Sequence, residues 1–358
     1  MSESSVAFLS EEGPSRTIAD RLGLPSTFTI IPTYQCTAAC ENCCFGSNPT
    51  IQHRLPLDRL IDYVDQAAGI PSVRLICLSG GEPFLLGNDL TAIIKRASQH
   101  GLLTRIVTNG YWATTMEGAK DRLRPLVRAG LNELNFSTGD DHASFVELQT
   151  VTRGLAAATT LGLTTVLMIE QGPGRIVDKA TVLDHARDFP KLRQRMENGA
   201  VHVIESPWVG FNGNSVAQEP GALVNARNLP LRDPCSSILT TFVVTPHDRL
   251  GLCCGLPREE IPHLNRGNLL RDRVADVVEE AFSDFLSLWL FVEGPEHILA
   301  WAAGKLPEIE WEDLYAHNCD ACRAVFTDPR VMQVIADHYE EVYQEVMAKV
   351  GVYAALQP

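Results

Sequence analysis

The chain predicts an α/β fold on a parallel sheet, and three observations carry that prediction. Short apolar segments alternate with longer amphipathic ones from Thr27 to Glu205. Glycines close several of the amphipathic stretches just before the next apolar run. The residues that look chemical fall just after apolar runs, at the C-terminal strand ends where parallel barrels gather their loops. Six strand–helix units of this kind predict parallel neighbours joined by right-handed crossovers.

The predicted strands are Phe28–Pro32, Arg74–Leu78, Thr104–Val107, Glu133–Phe136, Thr165–Ile169 and Val201–Glu205. Between them lie helix-like stretches at Leu57–Ala68, Leu90–Gln99, Ala119–Ala129, Phe145–Leu161 and Lys179–Phe189. Leu90, Ile93, Ile94 and Ala97 show the helical spacing directly. Gly101, Gly130 and Gly162 stand where helix-ending glycines stand. Residues 1–25 are polar with short helical potential and predict a cap. From Asp328, the residues Val331, Val334, Ile335, Tyr339, Val342 and Val346 form one face of a long terminal helix, predicted to pack on the barrel.

The bulk numbers bound the class. With 358 residues, the chain has room for one large domain and a smaller one. At 45% hydrophobic and 21% charged it is of ordinary globular composition. No apolar run approaches a membrane span, and the polar start lacks a signal-peptide design. Ten cysteines without such a signal point to a reducing cytoplasm and metal binding rather than disulfides. A net charge of −14 opposes nonspecific nucleic-acid binding.

Cys36, Cys40 and Cys43 read C-x3-C-x2-C just past the first strand. A lone tetrahedral metal wants four ligands; three thiolates on a cubane cluster leave one iron open for another molecule. Further on, Ser79-Gly80-Gly81-Glu82-Pro83 follows the second strand and Thr108-Asn109-Gly110 the third. Two glycines permit close backbone approach to a ligand, and Pro83 fixes the exit from the strand. In this order and spacing the three motifs resemble the radical S-adenosylmethionine (radical SAM) enzymes, over about residues 26–215. The resemblance implies a partial (β/α)6 TIM-type barrel and a [4Fe–4S] cluster on Cys36, Cys40 and Cys43 whose open iron is chelated by SAM. It further implies SAM contacts from Gly80, Gly81, Glu82, Pro83, Asn109 and Ser137. The aromatic residue that usually precedes the third cysteine is here Asn42, so Phe45 becomes the candidate for stacking on adenine. Cys44 in place of Cys43 is the alternative ligand, and Thr37 replaces the family's common asparagine.

A second set follows a Pro- and Asn-rich connection: Cys235, the pair Cys253-Cys254 after a hairpin-like stretch, and Cys319-x2-Cys322. Four thiolates could close a cluster or a zinc site. Behind a radical SAM barrel the pattern resembles the auxiliary-cluster extensions called SPASM and Twitch, with Asp248 where a glycine is expected. No cysteine follows Cys322, so the count implies one auxiliary [4Fe–4S] cluster on Cys235, Cys253, Cys319 and Cys322, with Cys254 the alternative to Cys253. Domains follow: a cap at 1–25, the barrel at 26–215, the auxiliary domain (β-hairpin plus helices) at 216–328, and a terminal helix at 329–358.

Other polar residues carry two readings. Asp140, Asp141 and His142 either cap a helix or face SAM or substrate. Glu170 and Glu205 end strands five and six, where each is a cavity acid or base or a solvated rim residue. His202 reads as packed, Cys77 as a buried small residue, and Gly210 to Gly213 as a loop over the site. The resemblance implies reductive cleavage of SAM to methionine and a 5′-deoxyadenosyl radical that takes a hydrogen atom from substrate. The expected substrate is a ribosomally made peptide, with a small metabolite as alternative. Expected partners are a flavodoxin- or ferredoxin-type electron donor and a separate peptide-recognition protein. A zinc or iron–sulfur scaffold without SAM cleavage is the reading of another class.

Overall fold

The computed structural model describes residues 17–172, 174–207, 223–254 and 261–356. Its elements, in chain order, are α1 (Ile18–Leu22), β1 (Thr27–Ile30), α2 (Leu57–Ala68), β2 (Leu75–Leu78), α3 (Asn88–Gln99), β3 (Leu103–Thr108), α4 (Met116–Ala129), β4 (Glu133–Thr138), α5 (Asp140–Ala143) and α6 (Leu148–Thr160). There follow β5 (Thr164–Gln171), α7 (Lys179–His185), α8 (Pro190–Glu197), β6 (His202–Pro207), β7 (Thr241–Val244), β8 (Leu250–Gly251) and β9 (Asn265–Arg266). The chain then turns helical through α9 (Val274–Ala281), α10 (Phe285–Val292), α11 (Pro295–Lys305), α12 (Asn318–Thr327), α13 (Pro329–His338) and α14 (Glu340–Leu356).

One sheet runs β6-β5-β4-β3-β2-β1-β7-β8-β9. Strands β1 to β6 pair in parallel, each beside its predecessor. The sheet is open: β6 and β9 are its edges, so the six-unit barrel is partial. Beyond β1 the hairpin β7–β8 continues it, with β7 parallel to β1 and β8 antiparallel to β7. The hairpin therefore extends the barrel's own sheet.

Alternation within the strands separates two faces. Phe28, Ile30, Ile76, Leu78, Ile106, Leu134, Phe136, Leu167 and Ile169 are buried under the helices. The intervening Arg105, Val107, Glu133, Asn135 and Ser137 are only partly covered, which leaves a lumen on the other face. Helices bury apolar stripes: Leu60, Tyr63, Val64 and Ala67 of α2, and the predicted Leu90, Ile93, Ile94 and Ala97 of α3. Gly130 ends α4 in the left-handed conformation, φ 108°, with its N–H returned to Leu126 and Val127 carbonyls.

The structure corrects several boundaries. The predicted helix 179–189 ends at His185; Phe189, the residue before a proline, lies outside the α region, and Pro190 opens α8. The terminal helix is two helices meeting at Tyr339: α13 packs on α11 and α12, whereas α14 runs along α10 and α1. His202, predicted to be packed, is exposed, because β6 is an edge strand among the described residues. The predicted loop Gly210–Gly213 and most of the predicted cap lie outside the described residues. Among the described residues no helix is long and apolar enough to cross a membrane.

Candidate functional site

The cysteine loop leaves β1 and is clamped by the loop leaving β2. Gly81 N donates to Thr33 O at 3.0 Å and Glu82 N to Gln35 O at 2.8 Å, a short ladder that ends beside Cys36. Only glycine fits here. A Cβ on Gly81 would stand 1.9 Å from Gln35 O, and one on Gly80 (φ +120°) would stand 2.4 Å from Ile31 Cγ2. On its far side the loop closes with Cys36 N to Asn48 O and Gly46 N to Cys43 O.

The thiols sense one another. Burial raises Cys36 to about 11, with further upward pushes from the Glu82 and Cys43 charges. Burial, then Cys43, Glu170, Cys36 and Asp141, raises Cys40 to about 12. Thiolates gathered in so acidic a setting need a metal's positive charge to hold them deprotonated. Among the described residues no three His, Cys, Asp or Glu side chains converge on a single-ion site. Three mutually coupled thiols on one loop are a donor set that could hold an iron–sulfur cluster.

Glu82 is fully buried and makes no contact with solvent. Its carboxylate accepts from Phe84 N at 3.0 Å, Thr108 Oγ1 at 2.9 Å and Asn109 N at 2.9 Å, so it ties the end of β2 to the end of β3. Burial outweighs these donors and raises its carboxyl to about 7. Pro83 opens the 3-10 turn Pro83–Leu86 that follows. Asn109 then turns its amide toward the cysteine loop: Nδ2 donates to Thr37 Oγ1 at 3.1 Å and lies 3.7 Å from Cys36 Sγ.

Asn42 is accounted for by a contact nearly one hundred residues away. Its backbone N and its Nδ2 both donate to Asp141 Oδ2, at 3.1 and 2.8 Å. Arg175 Nη1 donates to Asp141 Oδ1 at 2.7 Å, and Asp141 N donates to Glu170 Oε1. The Glu170 side chain is fully buried, 3.3 Å from His142 Nδ1 and packed over Gly139, where a Cβ would stand 1.8 Å from Glu170 Cγ. Asp141 therefore moors the cysteine loop to the fourth and fifth strands rather than capping a helix.

The structure thus brings Cys36, Cys40, Cys43, Gly80, Gly81, Glu82, Asn109, Asp141 and Glu170 to one rim, with Ser137 partly buried near the end of β4. Phe45 stacks on Tyr34, ring centroids 5.8 Å apart. Glu205 is not among them. It is exposed and accepts from Gln171 Nε2 and Lys179 N. Sequence reasoning missed Arg175, which no periodicity or motif marks, and treated Asn42 only as a departure.

The second set forms elsewhere. Burial, followed by the charges of Cys253, Cys319 and Cys235, raises Cys322 well above a free thiol, so these four neighbour one another. Cys254 is exposed, its Sγ lies 2.9 Å from Ser237 Oγ and its N donates to the same hydroxyl, and its charge also raises Cys235. Asp248 adopts φ 56° at the hairpin turn, as its place in a glycine position requires. It also accepts from Tyr63 Oη at 2.5 Å and pairs with Arg59 at 2.7 Å. Cys77 is buried and raised to about 12 by that burial.

Fold and site together define an open α/β barrel that presents a three-thiol loop and a glycine clamp at the C-terminal ends of its strands. Residues 30–141 match the family model described as Radical SAM superfamily. Two curated relatives align over the same scale. YydG of Bacillus subtilis (strain 168), provisionally named a peptide biosynthesis protein, is 24% identical over 125 residues, 35% of this chain and 39% of its own. The PqqA peptide cyclase of Bradyrhizobium diazoefficiens is 31% identical over 126 residues, 34% of this chain and 30% of its own. The match thus spans well under half the length of either relative. The solved structure of native anSMEcpe with bound AdoMet and Cp18Cys peptide shares the fold, with a TM-score of 0.51 at 13% identity, covering 91% of this chain and 99% of that one.

Proposed function

We propose that this chain is a radical SAM enzyme that modifies a ribosomally made peptide. The observation that carries the chemistry is the ladder Gly81–Thr33 and Glu82–Gln35, which fixes a three-thiol loop against a glycine surface. Cys36, Cys40 and Cys43 would hold the [4Fe–4S] cluster, leaving one iron for SAM. When bound, the pair supplies one-electron chemistry: reductive cleavage of the sulfonium to methionine and a 5′-deoxyadenosyl radical. This chain's residues position that chemistry. Gly80 and Gly81 let backbone reach the cofactor; Glu82, braced by Thr108 and Asn109, keeps the clamp's shape; Asn109 orders the loop at Thr37. Asp141 and Glu170 anchor the loop from the opposite side, and Ser137 and Phe45 remain SAM-contact candidates.

The peptide substrate rests on the names of the two relatives, both of which concern peptides. Cys235, Cys253, Cys319 and Cys322 are proposed to hold one auxiliary cluster, and their mutual charge coupling supports that reading. The barrel at 26–215, the auxiliary region at 216–328 and the helical end at 329–358 stay proposals, as do a flavodoxin- or ferredoxin-type donor and a separate recognition protein. The test is anaerobic reconstitution, iron counting and incubation with SAM and dithionite. 5′-Deoxyadenosine and about eight irons per chain are expected from two four-iron sites; no 5′-deoxyadenosine would sink the chemistry. Incubation with synthetic cysteine-, tyrosine- and glutamate-containing peptides, read by mass, tests the substrate class.

A further inference from the structure

A large cavity lies away from the cysteine loop. It is a groove of about 1040 Å³ between the 232–236 segment, the end of α10, the start of α12 and the flank of α14. Its walls are apolar where α14 contributes Val352, Tyr353 and Leu356; Val352 and Leu356 are 62% and 78% exposed. Past Lys349 a second hollow of about 400 Å³ continues it toward Trp289 and Trp301. Glu296, in the first turn of α11, also lines the groove. That residue is 3% exposed, and its Oε2 is buried with no hydrogen-bond partner.

An unmatched carboxylate oxygen in so covered a place is costly unless something donates to it. Burial raises the Glu296 carboxyl, against which its own backbone N–H at the helix start and the Arg232 charge act. Neither reaches Oε2. The surroundings are otherwise acidic: the Cys235 and Cys322 thiols sense the Glu296 charge, and Asp233 and Glu345 stand on the rim. Lys349 is already engaged by Glu293 at 2.5 Å and Glu345 at 2.8 Å. A ligand carboxylate would be repelled here, whereas an ammonium or guanidinium would complete the site.

We propose that this groove docks a peptide segment in which a lysine or arginine, flanked by apolar residues, delivers its cation to Glu296 while its neighbours lie along α14. The inference rests on the peptide reading above and names the contact. Apolar walls on both sides of one buried acid suit an alternating apolar–basic chain, and a net charge of −14 favours its approach.

The experiment titrates the full chain, reconstituted with iron and sulfide, by fluorescence anisotropy. The probes are labelled acetyl-Leu-Phe-Lys-Leu-Phe-amide and its norleucine analogue. The lysine peptide is expected to bind roughly tenfold or more tightly than the analogue, the worth of one charged hydrogen bond. Glu296→Gln should erase that preference, and Leu356→Asp should weaken both peptides with iron content unchanged. No binding of the lysine peptide, or a preference that survives Glu296→Gln, would overturn the proposal. Turnover separates it from the reading beneath it. Binding with no peptide ever modified would sink peptide maturation and leave the groove. Modification with an unchanged KM in Glu296→Gln would sink the groove alone.

Discussion

The two cysteine sets are built by opposite means. The first is a single loop, contiguous in sequence and held in shape by backbone: two N–H···O bonds to Thr33 and Gln35, and two glycines with no room for a side chain. The second draws its thiols from three separate places: the segment before β7, the end of the β7–β8 hairpin, and α12. Its geometry depends on tertiary packing, because α12 is held by α11 and α13 and by Phe326 on His263. A site made from one loop tolerates movement of distant helices, whereas an assembled one does not.

The largest expected effect breaks the comparison at its first side. Cys36→Ala, Cys40→Ala or Cys43→Ala should abolish 5′-deoxyadenosine formation and remove about half the iron, whereas Cys319→Ala removes the other half and leaves SAM cleavage measurable. Equal loss of cleavage in Cys319→Ala would mean that the two sets do not act separately.

Next, Gly81→Ala should weaken the clamp by about 1–3 kcal/mol through overpacking against Gln35 O, lowering Tm and SAM affinity together. Gly23→Ala meets no atom within 4 Å and tests positive φ alone, so it should cost less.

Stability should also depend on pH through Glu82. Its folded carboxyl is raised to about 7 from 4.5. Between those values the native state keeps a proton that the unfolded chain has released, so stability is greatest below the unfolded pKa. It falls as pH rises through the window, by up to about 3 kcal/mol. Glu82→Gln should flatten that slope in urea midpoints measured from pH 5 to 8; an unchanged slope would remove Glu82 as its source.

Asn42→Ala removes one of two bonds to Asp141 and should cost about 1.5–3 kcal/mol of loop stability, seen as faster iron loss to a chelator. The smallest effect sharpens the second side. Cys254→Ser should leave iron content unchanged, because that thiol faces Ser237, whereas Cys253→Ser should lower it.

Legibility followed the same divide. The first site was readable because its elements are local. Strand ends, the C-x3-C-x2-C loop and the glycine pair sit within short windows, and the stripe Leu90–Ile93–Ile94–Ala97 matches α3. The separate helix α8 after Phe189 and the break at Tyr339 were not read. Pro190 did signal the first; the second arises because α13 and α14 pack on different partners. His202 was misread because a strand's own sequence does not say whether it stands at an edge.

Composition, periodicity and three motifs determined that this chain folds as strand–helix repeats with thiols at one strand's end. Only the tertiary structure decided that Asn42 is held by Asp141, that Cys322 senses Cys253 while the Cys254 thiol meets Ser237, that Glu205 stays outside, and that Glu296 lies buried and unmatched. The physical reason is range. Periodicity and turn chemistry act over a few residues, while hydrogen bonds and burial pair groups a hundred residues apart, which no local pattern records.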